Sequence, residues 1–203
     1  MLLVGLVAAC SGGGDGPRPV TDEEAQRLAV ARLSMYDADV VDLDLTVPVD
    51  GQTLHLVGRA DMREHTGYAK VDDEALLSWT LADKAVLPWT GELPDQPPTD
   101  GWQTAAMDPS NPLDAALLTT LNLSSDRAEN PLLLRQNGAQ WVSSKDGVDV
   151  FTAPGPDDKP NPAIRYSVDD KGVLHRVEAD TGHDEPLVIV LEPSSSTSVP
   201  ALP

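Results

Sequence analysis

One cysteine, one phenylalanine and only 14 lysines and arginines stand in a chain of 203 residues that carries 33 acidic side chains. Each shortage excludes something. Without a second cysteine there is no internal disulfide, so stability has to come from ordinary packing. A net charge of −19 with no cluster of basic residues excludes the phosphate contacts on which nucleic-acid binding depends. It equally excludes an electrostatic hold on anionic lipid headgroups. No apolar run approaches the ~20 residues that cross a bilayer as a helix. GxSxG, HExxH, CxxC, P-loop and GxGxxG patterns are all missing, and no enzymatic activity is expected. His55, His65, His175 and His183 are scattered, with no pair at helical ligand spacing, so neither a metal site nor a cofactor is expected. Asp42 and Asp44, preceded by Asp37 and Asp39, lack the glycine and distal glutamate of a calcium loop and read as a solvated strand face.

The lone cysteine is the most informative residue. An apolar run from Leu2 ends in Val7-Ala8-Ala9-Cys10 and is followed by Ser11-Gly12-Gly13-Gly14. This resembles the lipobox of bacterial lipoproteins. The resemblance implies that Cys10 becomes the acylated N-terminus of the mature protein, held at the outer face of the cytoplasmic membrane. One acyl chain holds a protein only marginally; the resemblance implies more than one, which makes the membrane a firm partner. Lipidation also accounts for an odd cysteine in an exported chain. No basic residue precedes Arg18, and a start site further upstream would supply the usual basic opening of such a signal.

Composition divides the chain into a signal segment (1–10), a Gly- and Pro-bearing flexible tether (11–20), one domain (21–192) and a Ser/Pro-rich disordered tail (193–203). The domain opens on a capping box, Thr21 with Glu24, and an apolar stripe of Ala25, Leu28, Ala29, Leu33 and Tyr36 at helical spacing. Val41, Leu43, Leu45 and Val47 alternate with polar residues, then Asp50-Gly51 turns the chain into residues 54–62. Leu54, Leu56, Gly58, Ala60 and Met62 give that return strand a small apolar face. Asn111-Pro112 and Asn130-Pro131 each pair an N-cap with proline at the first helical position. Leu113, Leu117 and Leu121 then recur at i, i+4, i+8. The rest reads as hairpins, ending in residues 187–191, which are apolar on both faces and so require a central or doubly covered strand. The fold class is α+β, with a predominantly antiparallel sheet and two or three helices.

Trp79 and Trp141 fall within strands and read as core. Trp89 and Trp102 lie in the long connection 88–112, where they either pin the loop onto the sheet or line a surface used by a ligand or partner. The lipobox, the Thr-Asp-Glu-Glu-Ala-Gln-Arg-Leu helix, the Asn-Pro-Leu-Asp-Ala-Ala-Leu-Leu helix and the Ile164-Arg165-Tyr166-Ser167-Val168-Asp169 strand are similar to LppX/LprG-type envelope lipoproteins with a LolA-like fold. That resemblance implies a curved antiparallel sheet forming an unclosed half-barrel, with helices over its open side. In that family some members carry a lipid between sheet and helices, so a monomer binding a lipid or other hydrophobic ligand there is expected. Leu43, Leu45, Leu54, Leu56, Leu113, Leu117 and Leu121 are the expected lining, with Gly58 and Ala60 leaving room. The alternative is an envelope interaction or sensory lipoprotein with a filled core, meeting a protein partner through Trp89 and Trp102.

Overall fold

A computed structural model describes residues 16–153, 164–182, 184–196 and 198–200. Cys10, Asp157-Asp158 and His183 lie outside the described residues. In chain order the elements are β1 (Arg18–Pro19), α1 (Asp22–Ala38), β2 (Val40–Val49), β3 (Gln52–Asp61), β4 (Thr66–Val71), β5 (Ala75–Trp79), β6 (Asp83–Pro88), β7 (Gln103–Ala106), α2 (Pro112–Leu121), α3 (Pro131–Gln136), β8 (Gln140–Lys145), β9 (Val148–Thr152), β10 (Ile164–Asp169), β11 (Leu174–Ala179) and β12 (Leu187–Pro193). The protein is α+β: one antiparallel sheet of twelve described strands, not closed into a barrel, with three helices.

The helix starts are local chemistry. Thr21 Oγ1 accepts from the Glu24 backbone N–H at 3.2 Å, and the Glu24 carboxylate accepts from the Thr21 N–H at 2.8 Å, closing the capping box. Asn111 and Asn130 cap α2 and α3 in the same manner, each with Pro next in line.

The sheet is two meanders fused. Strands β2 to β7 follow one another, as do β8 to β12, and the two sets join where β12 pairs with β2. The last strand is therefore central. Leu187, Ile189 and Leu191 point into the core, while Val188 and Val190 are half-buried on the other face. The core lies on the concave side, where α1 and α2 cover Val41, Leu43, Leu45, Leu56 and Ile189. Two glycines mark where neighbouring atoms leave no room for a side chain. A Cβ on Gly58 would collide with the Tyr68 carbonyl of β4, and one on Gly67 would collide with the Trp79 ring. Room at Gly58 is thus taken by the neighbouring strand rather than left for a ligand.

Both ends of the domain are more ordered than composition suggests. Arg18 and Pro19 pair with Trp141 and Gln140, so the last part of the tether is an edge strand. Arg18 also stacks over the Trp141 ring, 4.5 Å from its centroid, and forks onto Glu24 at 2.6 and 2.7 Å. At the other end β12 runs on to Pro193, and the described residues of 194–200 lie along the convex face. The Ser194 hydroxyl donates to Asp42 (2.6 Å), and Arg59 donates to the Ser196 hydroxyl (2.7 Å). A Ser/Pro segment cannot build a core of its own, but it supplies an acceptor to Arg59, whose side chain is only 14% exposed.

The Arg18–Glu24 fork has a pH signature. Arg18, helped by the Thr21 N–H and working against burial, holds the Glu24 carboxyl down at about 2, from an ordinary 4.5. A depressed carboxyl stabilises the fold above its unfolded value, and that contribution is lost as pH falls from about 4.5 towards 2. With Arg18 partly exposed, the fork is worth roughly 2 kcal/mol. Urea melts of Glu24→Gln should therefore fall below the wild type by about that much at pH 6 and converge with it near pH 2. A gap that persisted unchanged at pH 2 would contradict this assignment.

Candidate functional site

The seven leucines expected to line a cavity are spent on packing. Leu43, Leu45, Leu56, Leu117 and Leu121 are buried in the main core, and Leu54 and Leu113 pack half-buried against it. They come together, but around each other. Space is left one side-chain row over. Leu117 and Leu121 carry α2 into the core, and the adjoining row of that helix, Ala115, Ala116 and Thr119, is small. Opposite it stand Ile164 and Tyr166 of β10, Val177 and Ala179 of β11, Leu187 of β12 and Val47 of β2. Between these walls lies a cleft of about 300 Å³ with a predominantly apolar lining. That is the lower end of the ~300–1,000 Å³ range of small-molecule sites.

A second, more open groove of about 490 Å³ continues along α2. It shares Pro109, Ala115, Thr119, Leu123 and Tyr166 with the cleft and ends at Arg32, Asn122 and Glu129. Arg32 is fixed by the Asn122 and Ser124 carbonyls (2.9 and 3.1 Å) and by the Glu129 carboxylate (3.3 Å). Tyr166 stands at the junction. Burial, reinforced by Glu129 and opposed by Arg32, pushes its phenol above the ordinary 10, so it stays neutral throughout the physiological range. The Thr119 hydroxyl donates to the Ala115 carbonyl at 2.7 Å, and the Ser110 hydroxyl to Asp108 at 2.7 Å, so both donors are already committed. What the walls offer a guest is mainly burial of apolar surface, with the Tyr166 phenol and Thr181 as the polar groups left over.

The wall made by α2 is held at both ends. At its start Asp114, fully buried, pairs with Lys84 of β6 and accepts the Asp108 backbone N–H at 2.9 Å. At its end the Leu121 carbonyl lies 3.0 Å from His65 Nδ1, and the Ser124 hydroxyl donates to the Met62 carbonyl at 2.6 Å. The cleft is therefore a standing feature of the fold, framed by a clamped helix.

Trp89 and Trp102 are elsewhere. They pack half-buried over Tyr68, Leu76 and Leu87 on the convex face, with Leu93 and Val199 beside them. Each indole N–H donates to a carbonyl of its own loop, Glu92 at 3.0 Å and Pro98 at 2.8 Å. They fold the connection 88–112 onto the sheet and do not reach the cleft. Trp79 is fully buried in the main core, and Trp141 is half-buried with its N–H on Asp149 at 3.1 Å. His175 contacts Asp169 at 3.2 Å, and no group of three metal-ligating side chains occurs among the described residues.

The small residues that open the cleft form no apolar stripe of their own, so the leucine pattern of α2 does not point to them. The usable signal was Ala115-Ala116 beside the leucine stripe of α2 and Ala179 at the end of β11. No family model matches the chain, and no curated protein matches its sequence.

Proposed function

We propose that the protein is a cell-envelope lipoprotein, anchored through acylated Cys10 at the outer face of the cytoplasmic membrane. Its half-barrel binds a lipid or other hydrophobic ligand without catalysis. The observation that carries the ligand half of this reading is the apolar cleft beside α2, open at one end onto a more polar groove. Non-directional burial suits a guest without strict hydrogen-bonding demands, and the cleft volume suits one slender apolar chain or a small ring system. The anchor half rests on the Val7-Ala8-Ala9-Cys10 segment.

A protein-interaction role is the second reading. It is favoured by β7, whose four residues Gln103, Thr104, Ala105 and Ala106 are all exposed on the outermost strand of the sheet, without a charge or proline to blunt pairing.

The test is solvent extraction and mass spectrometry of the full chain carrying Cys10→Ser, purified without detergent, followed by titration with the fluorescent fatty acid cis-parinaric acid. A co-purifying apolar compound, or saturable one-to-one dye binding, is the expected result. An empty protein that also leaves the dye unbound at its solubility limit would refute ligand carriage and leave the interaction role standing.

A further inference from the structure

Leu132 and Leu133 are the most unusual feature of the surface. They are adjacent on α3 and 55% and 51% exposed, while their neighbour Leu134 is buried in the core. Among the described residues the other large apolar side chains so exposed are Val57 and Leu81, which stand singly on β3 and before β6. An adjacent exposed pair differs from the singly scattered apolar residues that need no explanation.

The position of α3 says what lies near that pair. The helix lies along α1, tied to it at one end by Glu129 N–H to the Ala29 carbonyl (2.8 Å) and at the other by Arg135 paired with Asp22. Its last turn is closed by Ala139 N–H to the Leu134 carbonyl (2.9 Å), and Val20 N–H donates to Ala139 (3.3 Å). One residue further, β8 pairs with β1 at Gln140 and Pro19. The chain that leads to the anchor thus leaves the domain from a clamped point beside α3. Cys10 stands eight positions before Arg18, and eight residues reach at most ~27 Å, whereas α3 is only ~9 Å long. That reach exceeds the length of α3, so the tether is long enough for a membrane holding Cys10 to meet Leu132 and Leu133. Tethering of that length also supplies an effective concentration in the millimolar range, so a weak surface affinity is enough.

We propose, on the premise that Cys10 is the anchor, that Leu132 and Leu133 insert into the lipid interface and dock the domain on the bilayer that holds it. Docking is apolar in character. The cations paired around α3, Arg18, Arg32 and Arg135, are neutralised by Glu24, Glu129 and Asp22, which fits a zwitterionic surface better than an anionic one. It also has a directional consequence. Glu129, at the open end of the groove, immediately precedes the Asn130 cap of α3. Seating α3 on lipid turns the Arg32–Glu129 end of the groove towards the membrane, which shortens the route of a hydrophobic guest between bilayer and cleft.

The test uses the lone cysteine. The full chain is coupled through Cys10 to a maleimide-headed phospholipid in phosphatidylcholine vesicles, and hydroxyl-radical oxidation is compared with that of the chain whose Cys10 is blocked by a small maleimide. Oxidation at Leu132 and Leu133 should fall at least fivefold on coupling, with Val57 and Leu81 changing by less than twofold. Unchanged oxidation at Leu132 and Leu133, or an equal fall at all four residues, would overturn docking. Because the coupling chemistry supplies the anchor, these outcomes judge docking apart from acylation in the cell. The latter is read from incorporation of labelled palmitate at Cys10, whose absence would remove the anchor and with it docking in vivo.

Discussion

Lys84→Met is expected to destabilise the protein by about 3–5 kcal/mol, the range found when one partner of a buried ion pair is removed. For a domain of this size that is a fall in Tm of roughly 10 °C. The reason lies in Asp114. Its side chain is fully buried, Lys84 is the cation that compensates it, and the Asp108 N–H satisfies one further lone pair. Methionine preserves the packing of the lysine stem but leaves a carboxylate without a counter-charge in the interior. The double variant Lys84→Met/Asp114→Asn removes the charge while keeping an acceptor for the Asp108 N–H, and should recover more than half of the loss. Urea denaturation of the three proteins decides the point. A single-variant loss below about 1 kcal/mol would mean that water reaches Asp114 and that α2 is not clamped as described.

The ion pair also shows where reading the sequence succeeds and where it stops. Thr21 with Glu24, Asn111-Pro112 and Asn130-Pro131 mark helix starts because a cap is satisfied within three residues, and all three helices begin there. Alternation along residues 41–47 fixes a one-faced strand for the same local reason. The doubly apolar stretch 187–191 calls for a central or doubly covered strand, and β12 is the central one. By contrast, Lys84 and Asp114 lie 30 positions apart, and nothing near either residue announces the other. Arg18 and Pro19 join the sheet because Trp141 and Glu24 wait for them, and residues 194–196 are held because Arg59 and Asp42 need partners. Composition describes what a segment does alone; these segments are ordered by what they meet. The connection 88–112 likewise contains β7, whose Gln-Thr-Ala-Ala run has no apolar period and becomes a strand only by pairing with β6.

The cleft follows the same logic. A leucine stripe on a helix facing a curved sheet signals burial, but close packing consumes large side chains first, and voids survive beside small ones. The apolar cleft therefore lies one helical row away from the leucine stripe. If the row Ala115, Ala116 and Thr119 is what admits a ligand, filling it should abolish binding without harming the fold. Ala115→Trp is the sharpest such change. Ala115 is half-buried and lines both the cleft and the groove beyond it, so an indole there occupies the junction rather than the core. The cost to stability should stay near 0.5 kcal/mol, the difference in helix propensity, because the ring enters space that is already open. Binding of cis-parinaric acid should weaken at least tenfold, and any co-purified compound should be lost. Ala105→Trp, on exposed β7, carries the same ring at a distance and should bind like the wild type. Equal binding by all three proteins would place the ligand elsewhere and remove the cleft from the account; loss in both variants would mean that the dye reports a general surface effect rather than occupancy beside α2.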